Sequence, residues 1–307
     1  MNHHQLVDRL TTQVVGRRRG LALVVAAMAA DRHMLLEGPP GTGKSTLLRA
    51  VARELGIGFE FVEGNAELTP SRLIGHFDPA RVLAEGYDAD VFVDGPLVAA
   101  LRGGSLLYVE ELNRVPEETL NVLVSVMSER EIHVPRLGTI AAEPGFRLVA
   151  AMNPFDAIGT ARISSAIYDR VCRLAVGYQD APDETAITTR HQPDVDAGWA
   201  ARTVELVRLT REHPDVRIGS SVRGAIDMCA VAVTLGQVRN RPISDPGVSL
   251  DAALVALSGR IRVREGCHRD PEAIVTELWR QVFEPNDDGD AADPGKAPAP
   301  NGATPAV

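Results

Sequence analysis

The chain has 307 residues, 45% of them hydrophobic and 24% charged, with a formal net charge of -9 at pH 7. That length and apolar fraction suffice for a sizeable core and about two domains, and no apolar stretch reaches the roughly 18 to 20 residues that span a bilayer. The negative balance repels phosphate backbones and disfavours general nucleic-acid binding.

The N-terminal "MNHHQLVDRL" lacks the charged-then-apolar order of a secretory signal, so a cytoplasmic location is expected. Up to about Asp180, apolar runs alternate with helical stretches, the pattern of an α/β domain; residues 181 to 283 carry helical periodicity with few strand-like segments. The segment from Glu284, "EPNDDGDAADPGKAPAPNGATPAV", is rich in Pro, Gly, Ala and Asp and is expected to be a disordered tail, 284 to 307. Cys172, Cys229 and Cys267 are odd in number and far apart, which argues against a disulfide framework or a paired-cysteine zinc site.

"HMLLEGPPGTGKSTLLRAVARELG" reads as a buried strand, a glycine-rich loop and a helix stopped at Gly56. Gly38, Gly43, Lys44 and Ser45 fit G-x-x-x-x-G-K-[ST], and the loop formed by Gly38, Pro39, Pro40, Gly41, Thr42, Gly43, Lys44, Ser45 and Thr46 is expected to hold the phosphates of a nucleotide. Glycines let backbone N–H groups turn inward onto phosphate oxygens, and the helix N-terminus adds a partial positive charge. In that chemistry Lys44 neutralises the β- and γ-phosphates of ATP and the Ser45 hydroxyl ligates Mg²⁺.

Further along, "GGSLLYVEELNRVPEETLNVLVSVMSEREI" sets four apolar residues, Leu106 to Val109, before Glu110 and Glu111. On a parallel strand beside the phosphate loop both carboxylates emerge at the C-terminal edge of the sheet, where ligands bind. Glu110 is expected to hold Mg²⁺, through water, and Glu111 to orient the attacking water.

With "GPPGTGKS", "GPLVAALRGGSLLYVEELNRVPEETLNVLVSVMSEREI" and "LVAAMNPFD" together, the chain resembles an AAA+ ATPase, and more narrowly the MoxR and dynein-related group that also holds CbbQ/NorQ-type activators and the magnesium-chelatase ATPase subunit. The resemblance runs from about Val14 to Arg223 and implies an α/β P-loop core, a parallel sheet flanked by helices, with a small helical lid domain behind it. The family usually has Asp where this chain has Glu110; the extra methylene moves the carboxylate by about 1.5 Å on a fixed backbone. Mg²⁺ tolerates little misplacement, so turnover is the property this departure bears on.

The resemblance assigns further roles. Asn153, after the apolar run Arg147 to Met152, matches the sensor-1 residue that hydrogen-bonds the γ-phosphate or the water. Arg170 in "GTARISSAIYDRVCRLAVGY" matches the arginine finger that acts on a neighbouring subunit's nucleotide, with Arg162 and Arg173 as nearby alternatives. Arg223 in "IGSSVRGAIDMCAVAV" resembles the sensor-2 arginine, serving its own or a neighbouring subunit. "VVGR", Val14 to Arg17, resembles the segment lining the adenine pocket, although a run such as Arg17-Arg18-Arg19 is more often simply solvated.

The segments His76 to Leu97 and "EREIHVPRLGTIAAEPGFRLVA" look like the two hairpins that this group points at a ring's central pore. A hexameric ring, a protein client and a partner with a von Willebrand factor A domain are what the resemblance implies. A metal-chelatase ATPase subunit and a nucleotide-gated scaffold with little hydrolysis are the alternatives. The sequence holds no H-E-x-x-H, Cys/His ligand spacing or G-x-S-x-G that would mark a second active site.

Overall fold

The computed structural model describes residues 2–154 and 163–284. Two helices lead in. In α1 (His3–Gln13) the Asn2 side chain accepts from the His4 and Gln5 N–H groups, and α2 (Arg18–Ala29) packs against it through Leu21, Val24 and Met28. β1 (His33–Glu37) and α3 (Lys44–Leu55) flank the phosphate loop, and α3 ends at Gly56 in the left-handed conformation, where the sequence predicts its stop.

The remainder of the α/β part runs through β2 (Phe59–Glu63), α4 (Pro70–Ile74), β3 (Gly75–Phe77), α5 (Pro79–Glu85), β4 (Phe92–Asp94) and α6 (Pro96–Gly103). It continues with β5 (Leu106–Glu110), α7 (Glu117–Glu129), β6 (Glu131–Val134), β7 (Gly138–Ala141), β8 (Arg147–Met152), α8 (Ser165–Tyr168) and β9 (Val171–Ala175). Five strands form one sheet in the order β2-β5-β8-β1-β9, every neighbouring pair parallel.

The central strands read as continuous apolar runs because helices cover both faces of the sheet. Alternation sends Met34, Leu36, Leu106, Tyr108, Val149 and Ala151 into the core shared with α1, α2 and α3. Leu35, Leu107, Val109, Leu148 and Ala150 enter the opposite core, with α4, α6 and α7. Being parallel, the strands bring the ends Glu37, Glu63, Glu110 and Met152 to one edge, with Glu63 in register with Glu110 and Glu37 with Met152.

Two antiparallel hairpins leave this body. β3 and β4, with α5 between them, separate α4 from α6, and β6 pairs with β7 ahead of β8. The two touch where the Arg136 guanidinium lies over the Tyr87 ring, 3.6 Å from its centroid.

Residues beyond 180 build α9 (Ala181–His191), α10 (Ala197–Glu212), β10 (Val216–Ile218), α11 (Val222–Arg239), α12 (Pro246–Leu257), β11 (Arg262–Val263) and α13 (Pro271–Phe283). Their core, including Trp199, Val207, Met228, Leu257 and Trp279, is separate from the two sheet cores. The helical expectation for this part is met, with one addition: β10 and β11 pair antiparallel over two or three residues, too short to leave a period in the sequence. The expected tail beyond Glu284 and the alternative finger Arg162 lie outside the described residues. No helix among the described residues is long and apolar enough to cross a membrane.

Candidate functional site

The phosphate loop sits where β1 gives way to α3. Gly43 caps α3 with φ +80°, a left-handed conformation that L side chains rarely adopt, and this aims the first turn of α3 at the loop's mouth. Gly38 is held against the end of β9: a Cβ there would lie 1.9 Å from the Val176 carbonyl oxygen, so no other residue fits.

Lys44 is 7% exposed and folds back so that its Nζ donates to the Gly38 and Pro39 carbonyls, at 2.9 and 3.0 Å. Burial lowers its pKa, an effect opposed by Glu110 and Glu111 and reinforced by Arg223 and Arg17. These are the charges that meet in the site. An ammonium whose acceptors among the described residues are two neutral carbonyls is poised to exchange them for an anionic ligand, where its hydrogen bonds become charge-assisted on both sides.

Strand alternation explains why the two adjacent glutamates diverge. Tyr108 and Glu110 share the α3 face of β5, and the Ser45 hydroxyl reaches both Glu110 carboxylate oxygens, at 3.1 and 3.2 Å, and the Tyr108 hydroxyl, at 3.3 Å. Burial pushes the Tyr108 phenol well above its usual range, so it is neutral at any physiological pH. Glu111, one residue later, turns away with φ +53°; its carboxylate lies 3.1 Å from Arg114 Nε, within ion-pair distance but off the line of a hydrogen bond. Non-glycine residues with positive φ are uncommon, and this one stands at the mouth of the site.

Two cavities open here. One, of about 370 Å³, runs between Val14, Val15 and Arg17 on one side and Ile187, Val222 and Ile226 of the helical part on the other. The second, of about 200 Å³, is walled by the charged Lys44, Glu63, Glu110, Glu111 and Arg223 and the polar Asn153. Gly41 and Arg223 line both. A ligand spanning the pair has an apolar end beside valines and isoleucines and an anionic end beside Lys44 and Arg223, the two-part chemistry of a nucleotide.

The residues singled out in the sequence, Arg162 apart, have these places. Gly41, Thr42, Gly43 and Thr46 line the larger cavity; Pro40 and Lys44 line the smaller, and Pro39 lies on the loop's outer side with Asn153 and Tyr178. Asn153 leaves β8 at the charged cavity, and its carbonyl accepts from Asn113 Nδ2 at 3.3 Å. Arg223 is in the first turn of α11, and its guanidinium makes no hydrogen bond or ion pair among the described residues.

Arg170 stands apart. It is exposed, lines neither cavity, and donates from Nε to Ser128 Oγ at 2.5 Å and from Nη1 to the Ala166 carbonyl at 2.8 Å. The alternative Arg173 is instead paired with buried Glu37, whose other oxygen accepts from the Tyr168 hydroxyl.

Three residues, Glu63, Tyr108 and Asn113, escape the sequence reading, which leaves Arg17 between the pocket-lining "VVGR" segment and a solvated basic run. Arg17 is not a solvated member of its run: it is half-buried and Nη2 donates to the Thr42 and Gly177 carbonyls, 2.8 Å each, while Arg18 and Arg19 are exposed. Burial lowers its pKa, against the opposing charges of Asp183 and Glu184. Glu63 lines the charged cavity, the Tyr108 hydroxyl meets Ser45 beside it, and Asn113 is 5% exposed and ties the turn after β5 to that after β8. Alternation could have marked Tyr108 from its spacing to Glu110; Glu63 needed the sheet order.

Residues 33–171 match the AAA domain of the dynein-related subfamily. YeaC of Bacillus subtilis, an uncharacterized protein, is 26% identical, covering 91% of this chain and 93% of that one. The gas vesicle ATPase GvpN of Haloferax mediterranei is 29% identical over 73% of this chain and 69% of its own. In fold, the chain is similar to the RuvB Holliday junction branch migration motor of Thermotoga maritima, with TM-score 0.53 at 19% identity over 80% of this chain and 72% of that one. Residues 33–171, which carry the glycine-rich loop, Glu110, Glu111, Asn153 and Arg170, are thus the part of the chain that is similar to the AAA domain of the dynein-related subfamily.

Proposed function

We propose that the chain is an ATP-hydrolysing, MoxR-like AAA+ ATPase that works in a ring, hexameric by its resemblance, and remodels or activates a partner protein or complex. The observation that supports this best is the convergence of Lys44, Glu110, Glu111, Asn153 and Arg223 on one charged cavity, with Ser45 against Glu110, that continues past Gly41 into an apolar one.

Ser45 and Glu110 present only oxygen donors and already share one contact, which suits a hard cation, so they are the residues that would hold Mg²⁺. Bound there, Mg²⁺ supplies neutralisation of phosphate charge. The chain's own groups do the rest. Lys44 leaves the Gly38 and Pro39 carbonyls for β- and γ-phosphate oxygens, while Asn153 and Arg223 hold the γ-phosphoryl group. Glu111, leaving Arg114, orients a water and accepts its proton; the water oxygen bonds to the γ-phosphorus as the bond to the bridging oxygen breaks, giving ADP and phosphate. Arg170, turned away from its own cavity, would serve the neighbouring subunit's site.

The pair of hairpins, joined by Arg136 and Tyr87, would contact the client; Leu83 (91% exposed), Tyr87 and Val93 give this region an apolar exposed surface. A helper with a von Willebrand factor A domain fits the same reading.

Glu110 in the usual Asp position favours a second reading, a scaffold that binds ATP and assembles without turnover. The test is steady phosphate release from Mg²⁺-ATP by the parent and by Glu110→Asp, with and without client. On the ATPase reading the parent releases phosphate over many cycles and Glu110→Asp matches or exceeds it, because the shorter side chain restores the family's spacing. ATP-dependent assembly with no release in either protein is the outcome that fits the scaffold.

A further inference from the structure

Away from the charged cavity, Glu184 is the most deeply buried carboxylate among the described residues. Glu184, in the first turn of α9, is 1% exposed, and its Oε1 accepts from Arg211 Nη2 at 2.8 Å while Oε2 accepts from Arg211 Nη1 at 3.1 Å and Arg208 Nη1 at 3.3 Å. The Arg211 guanidinium also stacks on Tyr178, 3.9 Å from the ring centroid, in the segment that leaves β9. Arg211 is thus fixed to the α/β exit and to α9 at once. Its remaining bond is directed elsewhere: Nε donates to the Ser220 carbonyl at 2.7 Å.

Ser220 is held from its other side too, its N–H donating to the buried Thr210 hydroxyl at 2.9 Å. The turn it belongs to is packed tightly, since a Cβ on Gly219 would lie 2.7 Å from the Arg211 backbone. The next residue, Ser221, lies on the phosphate loop: a Cβ on Gly41 would come within 2.2 Å of its Oγ. Two residues on, Arg223 lines both cavities.

We infer that Arg211 is a positioning residue for nucleotide, holding the Ser220–Ser221 turn through the Ser220 carbonyl so that Arg223 faces the γ-phosphate. The planar guanidinium does this because it holds Glu184, Tyr178 and Ser220 in one fixed geometry; an ammonium reaches Glu184 but neither stacks as well nor carries the Nε–H. The inference rests on the proposed role of Arg223.

The test measures binding of ATPγS and of ADP by calorimetry for the parent, Arg211→Lys, Arg223→Ala and the double variant. Arg211→Lys is expected to weaken ATPγS about tenfold, the effect of one charge-assisted hydrogen bond, with ADP within about twofold of the parent. In the double variant the loss should be no larger than in Arg223→Ala, because both changes remove one contact. A paired variant, Glu184→Gln with Arg211→Met, leaves no orphaned buried charge and should show the same selective loss.

Equal weakening of ATPγS and ADP, or losses that multiply in the double variant, would overturn the inference, as would loss of folding in both Arg211 variants. If Arg223→Ala weakens ATPγS but Arg211→Lys does not, the inference fails and the role of Arg223 stands. If Arg223→Ala itself changes nothing, both fail.

Discussion

Glu111→Gln is expected to bind Mg²⁺-ATP with near-parent affinity and to hydrolyse it about 10³-fold more slowly, within the range that a positioned general base contributes. The geometry separates this residue from its neighbour. Glu110 already contacts Ser45, whereas Glu111 leaves the strand in a left-handed conformation, lines the charged cavity and pairs with Arg114. The amide keeps the shape and one acceptor oxygen but cannot take a proton, so ATP should accumulate on the protein. Separating bound ADP from ATP by ion-exchange chromatography after incubation reads this directly. Hydrolysis at the parent rate would mean that the water-orienting role lies elsewhere.

Arg170→Ala should likewise bind ATP nearly normally and lose about 10³-fold in rate, the lower end of what arginine fingers contribute. Its own site holds no place for it: the side chain is fixed to Ser128 and Ala166, outside both cavities. Mixing the Arg170→Ala and Glu111→Gln proteins, each inactive alone, is therefore informative. Some boundaries in a mixed ring pair an intact Glu111 site with an intact Arg170 from the neighbour, so part of the activity returns. A mixture that stays inactive although its subunits exchange would leave Arg170 without a catalytic role.

What the sequence made legible was the part of the site built by local spacing. The strand, loop and helix from His33 to Leu55 form one contiguous unit whose glycines, lysine and serine are fixed relative to each other by a few bonds, and β5 with its two glutamates is another. The helical character of residues 181 to 283 was visible for the same reason. Contacts that depend on distant partners were not, and even Arg17, which the resemblance of "VVGR" singled out, could not be told from a solvated arginine. Arg17 reaches carbonyls 25 and 160 residues away, Asn113 one 40 residues away, and Glu63 joins Glu110 only because β2 pairs with β5. An arginine in a basic run has the same local signature whether it is solvated or buried, and only tertiary packing decides between them.

The central claim is that this loop holds the phosphates of ATP, and calorimetric titration of Mg²⁺-ATP into the parent and into Lys44→Ala tests it most directly. Lys44 is buried, and among the described residues its hydrogen-bond acceptors are the Gly38 and Pro39 carbonyls, so its removal takes a charge from the proposed phosphate site without exposing a core. Binding by the parent and a loss of about 10²-fold or more in Lys44→Ala, with the melting temperature little changed, is the predicted result. Equal ATP affinity in the two proteins would contradict the assignment of the loop and with it the account of the site.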